Sequence, residues 1–186
     1  MDVLQLKENE LDDHLALSIA KLACLSFSSS KTVEDRFEET KRSVDQADLN
    51  STIRRFIILS DNRDVVAHAK TFVRTIHTEE GPLDILALAS VCAAPEFRGR
   101  GLGVSVTRAS FAQIDNVRWP DVCLFQTPVP AFYEKLNCRL INNPFVDRTN
   151  FQNPDAYPWL DDTIMIYPDS YQKWPSGLID LNGPAY

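Results

Sequence analysis

No stretch of this chain approaches the ~18 uninterrupted apolar residues that a membrane-spanning helix requires. Its opening, Met1 to Glu10, lacks the basic segment and apolar core of a secretory leader. Both absences point away from a membrane partner and toward a cytoplasmic protein. There is no CxxC pair either. The four cysteines, Cys24, Cys92, Cys123 and Cys138, are widely spaced inside apolar stretches, where a thiol behaves as a small hydrophobe. That pattern suits a reducing compartment, and with no clustered Cys and His ligands a metal site is not expected. A long basic run is also missing. Lys and Arg number 19 against 26 Asp and Glu, a formal charge of −7. Sequence-independent nucleic-acid binding needs cations to neutralise phosphates, so nucleic acid is not an expected partner. Neither internal repeats nor low-complexity segments occur.

What remains is an ordinary globular composition: 186 residues, 44% apolar and 24% charged. One domain with a substantial core is expected over 1–186. Apolar residues recur at helical spacing from Leu11 to Phe27, with Asp12 and Asp13 in the first turn, where the helix dipole favours acid. Lys31 to Ala47 reads as a polar helix anchored by Val33, Phe37 and Val44. Arg55–Ser60 and Val65–Ile76 flank the turn Asp61–Asp64 and read as an antiparallel hairpin. After Glu79–Pro82, the run Leu83–Ala93 is almost wholly apolar, as a strand covered on both faces would be. A helix from Leu102 to about Asn116, a strand Val122–Gln126, a short helix Pro130–Asn137 and strands at Arg139–Asn142 and Thr163–Tyr167 complete the α/β pattern. Asn143 to Leu160, rich in Asn, Asp and Pro, reads as a long loop.

The sharpest chemical feature is Pro95-Glu96-Phe97-Arg98-Gly99-Arg100-Gly101-Leu102-Gly103, between a buried strand and an amphipathic helix. The glycines let the backbone turn tightly and let a ligand approach the amides. The N–H groups that open the helix have no intrahelical partner, and the dipole makes that end positive. Arg98 and Arg100 add charge, so the segment is suited to a pyrophosphate. A GxGxxG dinucleotide fingerprint fails at its last position from either Gly99 or Gly101, and the GK[ST] of a Walker loop is absent. A strand-to-helix turn with no ligand is the plain alternative.

Arg98-x-x-Gly101-x-Gly103 after Pro95 resembles the acyl-CoA loop of the GCN5-related N-acetyltransferase (GNAT) superfamily. Gln126-Thr127-Pro128-Val129-Pro130-Ala131-Phe132-Tyr133-Glu134-Lys135-Leu136-Asn137-Cys138 is similar to its second signature. Gln126 stands there where the family usually has Asn, and Asn137-Cys138 where it has Gly-Phe. The resemblance implies a mixed, mostly antiparallel twisted sheet flanked by helices, with two splayed parallel strands ending near Ala93 and Gln126. It implies an enzyme, an N-acyltransferase that moves an acetyl or other acyl group from acyl-CoA to an amine. Val91, Cys92 and Ala93, the loop Arg98, Gly99, Arg100, Gly101, Leu102, Gly103 and Val104, and Gln126 and Phe132 would hold the donor. Tyr133 would protonate the departing thiolate, or else simply pack beside Phe132.

Asn9-Glu10-Leu11, Asp13-His14 and the ending Trp174–Pro184 also resemble the nodulation N-acyltransferases, and Val66-Ala67-His68 with Val73-Arg74 resembles aminoglycoside 2′-N-acetyltransferases. That branch implies a small-molecule amine acceptor such as an amino sugar, and a tail, 169–186, that folds back on the domain. A homodimer is left open. The aminoglycoside enzymes resemble this chain with a glutamate where Ala89 stands. Asp84 is therefore the first candidate for the general base, with His77, Glu79, Glu80, Ser90, His14, His68 and the carboxylate of Tyr186 as alternatives of less activating setting. An acyl-cysteine route through Cys92 or Cys123 lacks a neighbouring His. Asp155–Asp162 mixes aromatics with acids, suited to a cationic amine or to a loop pinned by Trp159. Two rival functions are an acyl-CoA sensor without catalysis and a nucleotide-phosphate binder of another fold.

Overall fold

A computed structural model of the chain describes residues 1–46, 49 and 51–186, arranged as two compact units. Two long strands, β3 (Val65–Thr78) and β4 (Gly81–Ala93), contribute residues to both.

The first unit is Met1–Phe72 with Ala89–Ala112. Here β1 (Leu4–Lys7) pairs antiparallel with β2 (Arg54–Leu59), and β2 pairs antiparallel with β3, Ile57 opposite His68. The β2–β3 turn falls where the polar run Asp61–Asp64 placed it, the Ser60 N–H donating to the Asp64 carbonyl at 2.9 Å. Phe56, Ile57 and Ile58 are all buried in succession, so β2 is covered on both faces. Helix α1 (Asp13–Ser26) starts because the Asp12 carboxylate accepts the Leu15 N–H at 2.8 Å, a cap that answers one orphan donor. It buries Ala16, Ile19, Ala20 and Leu22, one face at helical spacing. Helix α2 (Val33–Asp45) opens with a reciprocal capping box between Thr32 and Asp35 and packs on α1. The expected end of this helix at Ala47 lies outside the described residues.

Helix α3 (Leu102–Phe111) packs on β2 and is shorter than the expected Leu102–Asn116. Its hydroxyls bond back one turn, Thr107 to the Gly103 carbonyl and Ser110 to that of Val106, both at 2.8 Å. Beyond Ala112 the Asn116 N–H reaches only three residues back, to Gln113, which marks a turn instead of a continued helix.

The second unit is Val73–Leu88 with Gln113–Tyr186. It contains β5 (Cys123–Gln126), helix α4 (Pro130–Glu134), β6 (Arg139–Ile141), β7 (Phe145–Val146), β8 (Ile164–Tyr167) and β9 (Ile179–Asp180). β4 and β5 run parallel, Leu86 opposite Cys123 and Ala87 opposite Leu124. β8 lies antiparallel to both β5 and β6, while β9 is antiparallel to β3 and parallel to β7. Ile85, Leu86, Phe125, Met165 and Ile166 form its interior. β7 falls inside the segment expected to be all loop. It forms because the tail supplies its partner: the Ile179 N–H donates to Pro144 and that of Leu181 to Val146, each at 2.9 Å. Trp174 Nε1 donates to Asn143 Oδ1 at 2.8 Å, fastening the same tail from its other side. Among the described residues no helix is long and apolar enough to cross a membrane.

Candidate functional site

The first unit carries the glycine-arginine segment. β4 ends at Ala93, Pro95–Phe97 make one 3-10 turn, and the Arg98 N–H closes it onto the Pro95 carbonyl. Gly99 and Gly101 both sit at φ +77°, a left-handed conformation strained for any L side chain. A Cβ built on either would meet nothing within 4 Å, so the requirement for glycine is conformational and the space above the backbone is open. Gly101 is the cap of α3, and the N–H groups of Leu102, Gly103 and Val104 form its first turn, where no carbonyl of the helix can reach them. The macrodipole adds a positive field at that end. Arg98 Nε donates to the Ala93 carbonyl at 3.4 Å, while the Arg100 guanidinium lies 5.0 Å over the Phe97 ring. Both arginines are exposed. An open backbone, an unpaired helix start and two cations make a cradle that fits a pyrophosphate.

Immediately upstream, β4 is kinked. Ser90 has φ +56°, although it is neither a glycine nor in a turn. Its carbonyl accepts from His68 Nδ1 at 3.1 Å, and His68 Nε2 lies 3.4 Å from Arg55 Nη1. Arg55 in turn clasps Glu8 with two bonds, Nε to Oε2 at 2.7 Å and Nη2 to Oε1 at 2.6 Å. Glu8, Arg55 and His68 are all buried. Burial, then the Arg55 charge, pushes His68 down to about 3, against the opposing effect of its bond to Ser90. For Glu8, burial acts to raise the carboxyl, and the Arg55 bonds and charge outweigh it, holding it below its ordinary value. His68, a lesser candidate for the base in the sequence, is thus a satisfied strand histidine, and neither the array nor the kink is visible in the residues alone. No local signal marks three residues so far apart in the chain.

Of the remaining residues expected along β4, Val91 and Ala93 are half-buried and Cys92 is buried. Burial pushes the Cys92 thiol up to about 12, against Ser26, Arg36 and Arg98, which pull the other way. Cys123 is pushed well above its ordinary value, again by burial. Neither is a ready nucleophile.

The second unit holds the other candidates. Tyr133 is buried on α4, 4.6 Å from the Phe125 ring and edge-on to Phe132 at 4.8 Å. Gln126 bonds within the chain from both ends of its amide: Nε2 donates to the Tyr186 carbonyl at 3.0 Å, and Oε1 accepts the N–H groups of Leu160 and Asp161 at 2.8 and 2.9 Å. Asp84 is exposed and accepts a short bond from the Thr75 hydroxyl. His77, Glu79 and Glu80 are exposed as well, as is His14 in the first unit. In the acidic aromatic loop Trp159 is buried, edge-on to Phe145 at 5.6 Å and to Tyr186 at 5.1 Å, whereas Tyr157 and Leu160 are exposed. The Tyr186 ring also receives the Arg74 guanidinium at 4.9 Å, and its hydroxyl donates to the Leu124 carbonyl at 3.0 Å.

Residues 5–141 match the acetyltransferase (GNAT) domain family. The chain belongs to this family. No curated protein sequence matches it. Among solved structures, a GNAT family N-acetyltransferase (YhbS) from Escherichia coli in complex with CoA is 14% identical, with a TM-score of 0.65 over 100% of this chain and 96% of that one. A GCN5-related N-acetyltransferase from Kribbella flavida is 17% identical, with a TM-score of 0.58 over 75% of this chain and 33% of that one. This chain thus spans about one third of the length of the Kribbella protein. Glucosamine-6-phosphate N-acetyltransferase from Arabidopsis thaliana is 16% identical, with a TM-score of 0.53 over 73% of this chain and 90% of that one. At these identities the likeness is one of fold. The matched residues include the glycine-arginine segment, and membership of an acetyltransferase family supports the use of an acyl-CoA donor.

Proposed function

We propose that the protein transfers an acetyl or other acyl group from acyl-CoA to a primary amine of a small molecule by direct attack. The observation that carries this reading is the cradle, in which two left-handed glycines deliver the chain into α3 with Arg98 and Arg100 beside its open N–H groups. When bound, acyl-CoA supplies an activated carbonyl. The chain's own part is to hold the diphosphate on Gly99–Val104 and the two guanidiniums, and the pantetheine arm on the backbone of Val91–Ala93. A backbone N–H near Cys92 or Ala93 would meet the negative charge that develops on the carbonyl oxygen. The phenol of Tyr133 is the proposed proton donor to the sulfur, and Asp84 the proposed acceptor of the amine's proton. We further place the chain in the nodulation N-acyltransferase and aminoglycoside 2′-N-acetyltransferase branch, on its Trp174–Pro184 ending, with an amino sugar as acceptor and 1–186 acting as one functional domain.

Thermal-shift measurements with acetyl-CoA and longer acyl-CoAs, then with polyamines, amino sugars and aminoglycosides, test the donor and acceptor in turn. The Tyr133→Phe variant separates enzyme from sensor. General-acid catalysis predicts a loss of about 100-fold in turnover with acetyl-CoA affinity kept within about two-fold. Saturation by ATP with indifference to every acyl-CoA refutes the proposal.

A further inference from the structure

The buried array in the first unit ends on the backbone of β4, one residue before the segment assigned to the pantetheine arm. Each bond in it has a direction. A carbonyl can only accept, so the 3.1 Å bond at Ser90 requires the proton on His68 Nδ1. A buried neutral imidazole then offers a lone pair at Nε2, which faces Arg55 Nη1 as donor at 3.4 Å. Arg55 is held by both oxygens of Glu8, which fixes the plane of its guanidinium. The carboxylate thus sets the arginine, the arginine sets the tautomer, and the imidazole pins one carbonyl.

That carbonyl belongs to Ser90, the one non-glycine residue at positive φ inside a strand among the described residues. A left-handed serine in a strand is strained and persists only where its surroundings determine it. Four residues on, the Ala94 N–H rejoins the ladder at the Val66 carbonyl at 2.9 Å. The kink at one end and this bond at the other bracket Val91, Cys92 and Ala93. A buried ion pair with a satisfied histidine adds little stability over apolar side chains of the same volume; what it supplies is a fixed orientation.

We infer that His68, backed by Arg55 and Glu8, is a positioning residue for acyl transfer. It locks the Ser90 kink and thereby aims the backbone groups of Val91–Ala93 at the pantetheine and thioester. The inference rests on the proposed acyl-CoA site.

The experiment is calorimetry with two probes on the full chain: acetyl-CoA, which carries the pantetheine arm, and adenosine 3′,5′-diphosphate, which lacks it. His68→Leu should weaken acetyl-CoA on the order of ten-fold, the loss expected when one or two backbone bonds are misaimed, and leave the nucleotide within about two-fold. His68→Asn restores a donor toward the Ser90 carbonyl and should recover acetyl-CoA affinity to within about three-fold of the native chain. If His68→Leu does not fold, Glu8→Gln is read in the same way, since it keeps the shape and loosens Arg55. Equal loss of both probes, or no loss of either, overturns the positioning role. Native protein that binds neither probe overturns the acyl-CoA reading itself, which is a different result.

Discussion

The cost of charging His68 can be worked from its surroundings. The imidazole is buried against Arg55, with its Nδ1 proton on the Ser90 carbonyl, and its proton affinity falls from an ordinary 6.5 to about 3. Below pH 6.5 the unfolded chain takes up a proton that the folded chain refuses, so stability is complete above 6.5 and declines as the pH falls toward 3. The slope is about 1.4 kcal/mol per pH unit, or about 2 kcal/mol between pH 6.5 and 5. A domain of ordinary stability holds only about 5–15 kcal/mol, so the effect is large enough to measure. Urea unfolding followed by the fluorescence of the three tryptophans, at pH 7.5, 6.5, 5.75 and 5, provides the assay. The window stops at pH 5 because Glu8, held below its ordinary 4.5, begins to lose its own contribution only under that value. The His68→Asn variant removes the titration while leaving the exposed His14 and His77 in place, so their effects cancel in the difference. The variant should start less stable at pH 7.5 and lose about 2 kcal/mol less by pH 5. Parallel pH profiles for the two proteins would refute the placement of a neutral, arginine-backed histidine.

Gly101→Ala should destabilise the fold by about 1–2 kcal/mol, the cost of a left-handed L residue, and weaken acetyl-CoA further by turning the first amides of α3; melting temperature and calorimetry report the two effects separately. Iodoacetamide at pH 8 should label Cys24 alone in the native protein and all four cysteines in urea, because Cys92 and Cys138 are pushed up to about 12 and Cys123 well above its ordinary value. Rapid native labelling of Cys92 would reopen the acyl-cysteine route.

The parts of the fold legible in the residues are those whose physics is local. Leu83–Ala93 reads as a strand from its apolar run, and its centre, Ile85–Ala89, is covered on both faces while Asp84 and Ser90 stay exposed; the Asp61–Asp64 turn reads from four consecutive polar residues. The cradle was legible for the same reason: glycines at left-handed positions, arginines beside them and an amphipathic helix behind are adjacent in the chain. β1, β7 and β9 were not legible. Leu4–Lys7 alternates apolar and polar but over only four residues, and β7 and β9 are two residues each, held by partners more than thirty residues away. Helix α3 was overextended because Gln113–Asn116 contains nothing a helix excludes; only the three-residue reach of the Asn116 N–H ends it.

The Glu8, Arg55, His68 and Ser90 array shows why a site can be half visible. The cradle has to present its chemistry on one continuous turn, so its residue types betray it. Holding a backbone at an unusual angle makes no such demand, because any donor brought to the right carbonyl will do, from any distance along the chain. Leu-Ala-Leu-Ala-Ser-Val-Cys-Ala reads as a plain strand, and the sign of one φ inside it is set by an imidazole twenty-two residues earlier and a carboxylate forty-seven residues before the arginine that steadies it. A kink built this way is stiff in a manner glycine could not achieve, since glycine at Ser90 would relax freely to either hand. The identity of residue 90 as serine, and not glycine, therefore argues that the angle is imposed from β2 and β3 and that the stretch from Val91 to Ala93 takes its aim from them.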